Sequence, residues 1–250
     1  EGYGRNPNID FYKGQAKFIS NKVIDVAGQP MTAEKIFIAV GSRPHIPPVE
    51  GLADTPYMTS TEALRQTKLP KKLIVLGGGY IAVELGHAYG ALGSEVHFLV
   101  RSRFLRKEDS QVSEEFTRVF TRAYAAHLGA SILRVEHQQD LFTVTYQDCD
   151  FETRQITADG LLVAAGVVPN SDTLDLENTD IVVRENGFIQ VDDYLRTAVE
   201  GVYALGDCAG NYLYRHSVNF EGEYLFRSVI EEKNIGPIHY PPIPHAVFAY

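Results

Sequence analysis

The chain has 250 residues, 23 of them basic and 32 acidic, which gives a formal net charge of −9 at pH 7. Its composition is 44% hydrophobic and 22% charged, as in a globular protein rather than a disordered one. The acidic balance argues against nucleic-acid binding, and no apolar run approaches the ~20 residues that cross a membrane. Two cysteines make neither a disulfide framework nor a metal site, so we expect a cytoplasmic protein without a metal ion.

The first 70 residues are predicted to be rich in β-structure and turns. The segment 9–19 is mixed and β-rich, and an apolar strand is expected at Ile36–Val40. Residues 41–51 contain several prolines that no helix could accommodate, so we interpret them as a linker or crossing. A short helix is expected at Ser60–Gln66.

Apolar strands and amphipathic helices alternate from residue 72 onward. The predicted order is a strand at 73–76, a helix at 77–93, a strand at 95–100 and a helix at 109–129. This alternation predicts a parallel sheet with helices on its faces.

Beyond residue 130 the pattern changes to shorter elements. We expect antiparallel strands at 131–136, 141–147 and 152–157, a buried strand at 160–166, a hairpin at 185–197, a strand and turn at 201–207, a helix at 218–233 and an extended tail at 235–245.

A glycine-rich turn joins the strand at 73–76 to the helix that follows it. Gly77, Gly79 and Ala82 fill the pattern G-x-G-x-x-[G/A]. The first glycine permits a tight turn, the second lets backbone N–H groups approach a pyrophosphate, and the small third residue lets helix and strand pack closely. Because the strand–helix–strand context is complete, the turn predicts a dinucleotide site rather than a flexible loop.

The end of the strand at 95–100 indicates which dinucleotide is bound. An NAD site normally has a carboxylate there for the ribose hydroxyls, whereas this chain has Val100 followed by Arg101, Arg103, Arg106 and Lys107. A guanidinium binds a 2′-phosphate that a carboxylate would repel. The alternative is a solvated basic helix entry. In so acidic a chain the cluster favours NADP(H) over NAD(H).

Four sequence blocks follow one another along the chain. They are IAVGSRP (38–44), VLGGGYIAVELG (75–86), VAAGVVPN (163–170) and GFIQVDDYLRTAVEGVYALGDCAG (187–210). The same blocks occur in this order in the pyridine nucleotide-disulfide oxidoreductases. The chain therefore resembles this family, which includes glutathione, mycothione and mercuric reductases and dihydrolipoamide dehydrogenase. The resemblance implies an α/β fold in which a Rossmann-like, doubly wound NAD(P)-binding domain is inserted into a partial FAD-binding domain of the same type. The implied domains are 1–50 (FAD-binding, first part), 51–170 (NADP(H)-binding) and 171–250 (FAD-binding, second part).

The resemblance also implies roles for individual residues. Tyr80 would lie over the flavin until the nicotinamide displaces it, and Glu84 would lie near the nicotinamide amide, so these two are the candidate catalytic residues. On the flavin side, Asp207 would accept a hydrogen bond from the ribityl chain, with Gly41 and Gly206 beside it. A packed tyrosine, a solvent-facing acid and an ordinary turn aspartate are the alternative interpretations. The implied NADP(H) contacts are Gly77, Gly79, Tyr80, Ile81, Ala82, Glu84, Val100, Arg101, Arg106 and Gly166.

The sequence also departs from the family pattern. Val167 replaces the arginine of G-R-x-P-N, and neither Cys149 nor Cys208 belongs to a C-x-x-x-x-C redox pair. We therefore expect the middle part of a longer, homodimeric enzyme, without its N-terminal flavin and redox-disulfide segment and its C-terminal dimerisation domain. The parent would pass hydride from NADPH to FAD and then to a disulfide-type acceptor, while this chain alone would only bind NADP(H). The alternatives are an NAD-linked enzyme of the dihydrolipoamide dehydrogenase type and a non-catalytic NADP(H)-binding module.

Overall fold

The computed structural model describes residues 6–249, which form two compact units. The first unit comprises the described residues up to Arg43 together with Val168–Pro244. The second comprises Pro44–Val167 together with the described residues from His245 onward. The chain thus leaves the first unit, builds most of the second and returns, so that the second unit is inserted into the first.

The helices and strands follow one another in a mixed α/β order. The helices are α1 (Ser60–Ala63), α2 (Tyr80–Ala91), α3 (Ser110–Ala123) and α4 (Arg215–Leu225), and a π-helical turn at Phe226–Ile230 continues the last. The strands are β1 (Ala16–Ser20), β2 (Val23–Val26), β3 (Gln29–Thr32), β4 (Ile36–Ile38), β5 (Ser42–Pro44), β6 (Lys72–Leu76), β7 (Glu95–Val100), β8 (Ala125–Leu128), β9 (Ser131–Gln138), β10 (Leu141–Gln147), β11 (Thr153–Ala158), β12 (Gly160–Val163), β13 (Val167–Pro169) and β14 (Val202–Ala204).

A parallel sheet in the order β12-β6-β7-β8 lies at the centre of the second unit. Strands β6 and β12 are almost wholly buried, as expected of near-continuous apolar runs that are covered on both faces. Neighbouring side chains of β7 enter different cores. Phe98 packs under the helices with Phe104 and Phe120, whereas Leu99 packs on the opposite face with Ile74.

An antiparallel meander in the order β11-β10-β9 lies over that opposite face. Phe142, Val144 and Tyr146 point inward at every second position of β10 and join the core that contains Leu99. The apolar side chains at every second position of this strand thus form the buried face of the meander.

The first unit is built from the antiparallel sheet β1-β2-β3 and the parallel pair β4–β14. Phe18, Ile38, Ile189 and Val202 lie in its main core. Since β4 and β14 run parallel, the turns that follow them lie at the same edge of the pair. Among the described residues, no helix is long and apolar enough to cross a membrane.

The predicted helix at 109–129 is wrong at its C-terminal end. Asp109 caps α3 by accepting hydrogen bonds from the N–H groups of Gln111 and Val112, but α3 ends at Ala123. Tyr124 is extended (φ −128°, ψ 142°), and the next four residues form β8 beside β7. Pairing along β7 therefore outweighs the helical preference of the alanines that follow Tyr124.

Three other segment predictions also need correction. The hairpin predicted at 185–197 forms no regular strands. Among the described residues there, the antiparallel bridge Val183–Ile189 closes a tight turn, and a second isolated bridge joins Arg196 to Tyr203. The helix predicted at 218–233 begins earlier, as α4, and changes to a π-helical turn after Leu225. The short helix predicted at 60–66 has a capping box at its start but ends at Ala63.

Candidate functional site

The glycine turn lies between β6 and the first turn of α2. Gly77 has φ +134°, and a Cβ there would lie 2.2 Å from the carbonyl oxygen of Ala164. A Cβ on Gly78 would lie 2.6 Å from the side chain of Val100. In contrast, Gly79 has φ −85°, and a Cβ there would meet no atom of the described residues within 4 Å. The packing of the chain thus requires glycine at 77 and 78, while the open space at Gly79 fits the approach of a bound group.

The N-terminus of α2 faces the same open space. Its N-cap residue is Gly79, which has no side chain with which to cap the helix. The N–H of Val83 donates the first intrahelical bond, to the Gly79 carbonyl (3.0 Å), so the amides before it point out of the helix end. Ala82 is fully buried against the sheet, whereas Ile81 is exposed. Such a helix end suits an anionic pyrophosphate.

The basic loop after β7 is tied directly to this turn. Val100 is buried in the core, and the N–H of Leu105 donates to the carbonyl of Gly78 (2.7 Å). Arg103 forms an ion pair with Glu114 (3.4 Å). Arg101 and Arg106 are exposed, and neither forms an ion pair within residues 6–249. These two guanidinium groups are therefore available to an anionic ligand.

Gly166 joins the same edge of the parallel sheet from β12. Its φ is +124°, and its carbonyl accepts a hydrogen bond from the N–H of His45 (2.9 Å). A Cβ there would meet nothing within 4 Å in the part of the chain that the structure describes. The chain runs from β6 to β7 on one side, while β12 lies on the other side of β6. Ligands of open α/β sheets bind at such a reversal of strand order, beyond the carboxyl ends of the strands.

Tyr80 and Glu84 lie one helical turn apart on α2, where the C-terminal segment contacts both. The Tyr80 hydroxyl lies 3.1 Å from Nδ1 of His245, and that nitrogen lies 2.9 Å from Oε2 of Glu108. The N–H of Phe248 donates to Oε1 of Glu84 (3.1 Å). Glu84 is thus half-buried and hydrogen-bonded rather than an acid that only faces solvent.

Asp207 lies in the first unit, in the 3-10 turn Gly206–Cys208 that follows β14. Oδ2 of Asp207 accepts a hydrogen bond from the hydroxyl of Ser42 (2.6 Å), in the stretch that follows β4. Its other oxygen has no hydrogen-bond partner in the part of the chain that the structure describes. Gly41 (φ +68°) and Gly206 (φ +71°) provide the left-handed conformations of the two neighbouring turns. A half-buried carboxylate with one free oxygen suits a ligand hydroxyl.

Several residues of these sites were not predicted from the sequence. Ser42, which holds Asp207, and Glu221, which accepts the N–H of Gly206 (2.6 Å), come from distant parts of the chain. His245 and Glu108 beside Tyr80 carry no motif. The one sequence signal at Ser42 is its place directly after Gly41 in the first family block.

The chain is similar in sequence to known proteins. The model of the pyridine nucleotide-disulphide oxidoreductase family matches residues 1–225. Mercuric reductase of Lysinibacillus sphaericus is 34% identical over 225 residues, which cover 89% of this chain and 41% of that protein. Mycothione reductase of Mycobacterium tuberculosis is 36% identical over 231 residues, which cover 90% of this chain and 49% of that protein.

A solved structure shows the same fold. The HOCl-induced flavoprotein disulfide reductase RclA from Escherichia coli superimposes with a TM-score of 0.86 at 31% identity, over 99% of this chain and 57% of that chain. The chain thus spans about half the length of the relatives it matches. Its Rossmann-like α/β fold, its sequence blocks and these matches agree, and the chain belongs to the pyridine nucleotide-disulphide oxidoreductase family.

Proposed function

We propose that this chain is the NADP(H)-binding part, with a portion of the flavin-binding part, of a flavin-dependent NAD(P)H:disulfide oxidoreductase. In this proposal residues 51–170 bind NADP(H), and residues 1–50 with 171–250 belong to the FAD-binding domain. The observation that carries the proposal is the open helix end at Gly79, with the exposed Arg101 and Arg106 on the loop beside it.

The preference for NADP(H) follows from charge at the end of β7. Val100 offers no carboxylate to the ribose hydroxyls, and Arg103 is already paired with Glu114. Arg101 and Arg106 would hold the 2′-phosphate, each through a charge-assisted hydrogen bond worth about 1.5–3 kcal/mol. NAD(H) lacks the 2′-phosphate, so it would not gain these contacts.

The nicotinamide end of the nucleotide would lie toward Tyr80 and Glu84. Glu84 would accept a hydrogen bond from the carboxamide, and the Tyr80 ring would move aside for the nicotinamide. Hydride transfer from nicotinamide to flavin is chemistry that the cofactors supply, and the protein binds and orients them. In the first unit, the Asp207 carboxylate would accept a hydrogen bond from a ribityl hydroxyl of FAD, while the Ser42 hydroxyl keeps that carboxylate in place.

Titration of the purified chain with reduced nucleotides tests the proposal. The chain contains no tryptophan, so the fluorescence of bound reduced nicotinamide can be followed without tryptophan emission. We expect NADPH to bind at least tenfold more tightly than NADH, since one charge-assisted contact accounts for that factor. Equal affinities would favour the NAD-linked alternative, and binding of neither nucleotide would refute the proposal.

A further inference from the structure

Glu221 is a buried carboxylate that the proposed function does not use. It lies in α4 with none of its surface exposed. An ionised carboxylate is costly to bury unless hydrogen bonds replace its water. Here both oxygens are engaged, since Oε2 accepts the N–H of Gly206 (2.6 Å) and Oε1 accepts the hydroxyl of Tyr240 (2.5 Å) and the side-chain amide of Asn211 (3.3 Å).

The bond to Gly206 lies at the start of the turn that carries Asp207. Gly206 is buried and left-handed, and α4 packs directly behind it, because a Cβ on Gly206 would lie 3.1 Å from the side chain of Val218. Without Glu221, the buried N–H of Gly206 would lose its partner within the described structure. The residue next to Asp207 is therefore fixed by a charge-assisted bond from the helix behind it.

Tyr240 fixes the carboxylate from the other side. It lies in the extended segment after α4, and its ring packs against Tyr212 and Phe220. Burial and the neighbouring carboxylate of Glu221 raise the pKa of the Tyr240 phenol. The phenol thus keeps its proton and remains a hydrogen-bond donor to Glu221.

We propose that Glu221 is a positioning residue of the candidate flavin site, which sets the Gly206–Asp207 turn, and that Tyr240 locks its carboxylate in place. The inference rests on the proposed function for the role of Asp207. It adds that the segment around Tyr240, for which no cofactor contact is predicted, controls the position of the Asp207 carboxylate. A residue that only filled space in the core would not need two accepting oxygens.

Substitution by glutamine separates positioning from packing. In Glu221→Gln the side chain keeps its size, but only one of its two terminal atoms can accept a hydrogen bond. The N–H of Gly206 then donates to a neutral amide oxygen instead of a carboxylate, or loses its acceptor if that oxygen turns toward the Tyr240 hydroxyl. Tyr240→Phe keeps the carboxylate and removes the hydroxyl that donates to its Oε1. Glu223→Gln, on the exposed side of the same helix, is the matched control.

The measurement is amide NMR and hydrogen exchange of the full chain and these variants. We expect a strongly downfield Gly206 amide proton in the wild type, as for a short bond to a carboxylate. Glu221→Gln should move this resonance upfield, shift those of Asp207 and Ser42, and speed exchange of the Gly206 amide about tenfold. Tyr240→Phe should shift the same resonances less, and Glu223→Gln should leave them in place.

A folded Glu221→Gln variant with unchanged resonances at Gly206, Asp207 and Ser42 would overturn the inference. If that variant does not fold, Tyr240→Phe decides, and its unchanged Gly206 resonance would have the same meaning. The NADPH titration tests the proposed function, whereas the Gly206 amide tests this inference. Either proposal can therefore be refuted without the other.

Discussion

The N–H of Leu105 donates to the carbonyl oxygen of Gly78 across 2.7 Å, and this bond ties the basic loop after β7 to the glycine turn after β6. Leu105 has φ +50°, so the loop adopts an uncommon backbone conformation in order to make the contact. Both ends of the proposed nucleotide site, the turn for the pyrophosphate and the cations for the 2′-phosphate, are thereby held together.

The first prediction concerns these cations. Arg101→Ala and Arg106→Ala should each weaken NADPH binding about tenfold or more, because each removes a charge-assisted contact of about 1.5–3 kcal/mol. NADH binding should hardly change. Arg103→Ala is the control, since its guanidinium is paired with Glu114. Calorimetric titration with both nucleotides gives the comparison. NADPH affinity that survives the double variant would place the 2′-phosphate elsewhere.

The second prediction concerns flavin. The purified chain should be colourless and inactive as a disulfide reductase, because the contacts implied for Asp207 and its neighbours cannot offset the entropy lost when a large cofactor is held. An absorption spectrum of the purified chain and an NADPH-dependent disulfide assay test this. A yellow preparation with the two-banded flavin spectrum would show that these residues retain FAD.

The third prediction concerns the pH dependence of stability, which we assign to a histidine between the parallel sheet and the antiparallel meander. His127 lies on β8, near His97 (3.5 Å between ring nitrogens) and the hydroxyl of Tyr146 (2.9 Å). Burial and the neighbouring His97 lower the pKa of His127 from its usual 6.5. The unfolded chain therefore binds more protons than the folded one below that value. Stability should be lost as the pH falls through 6.5 toward the lower folded-state pKa.

Thermal melts between pH 7.5 and 5.5 measure this loss. Glu95 and the other carboxylates with lowered pKa values titrate below 4.5, outside this window. His127→Gln should flatten the pH dependence of the melting temperature, whereas His239→Gln, at an exposed histidine, should leave it unchanged. An equally steep dependence in His127→Gln would contradict the assignment.

Local sequence patterns predicted much of the second unit. The structure confirms the strands β6, β7 and β12 and the glycine turn before α2. Their sequence signals come from residues that are adjacent in the chain. The strand Ala125–Leu128 was missed because only its pairing with β7 makes it a strand. Ser42 was missed for a similar reason, since it acts on a residue 165 positions away. Contacts of this kind leave no periodicity in the sequence.

The central claim is that the nucleotide pyrophosphate binds at the glycine turn, and Gly79→Val tests it most directly. A Cβ at Gly79 would meet no atom of the described residues within 4 Å, and its φ of −85° suits any residue, so the fold should lose only about 1 kcal/mol through the weaker helix cap. The valine would, however, fill the space that a phosphate needs. Ala82→Gly is the matched control, because either small residue lets helix and strand pack.

Thermal melts of the wild type and both variants, with and without saturating NADPH, give the result. Ligand binding to the folded state alone raises the melting temperature. The wild type and Ala82→Gly should gain stability from NADPH, and Gly79→Val should gain none while remaining folded. A Gly79→Val variant that NADPH stabilises as much as the wild type would show that the nucleotide does not bind at this turn.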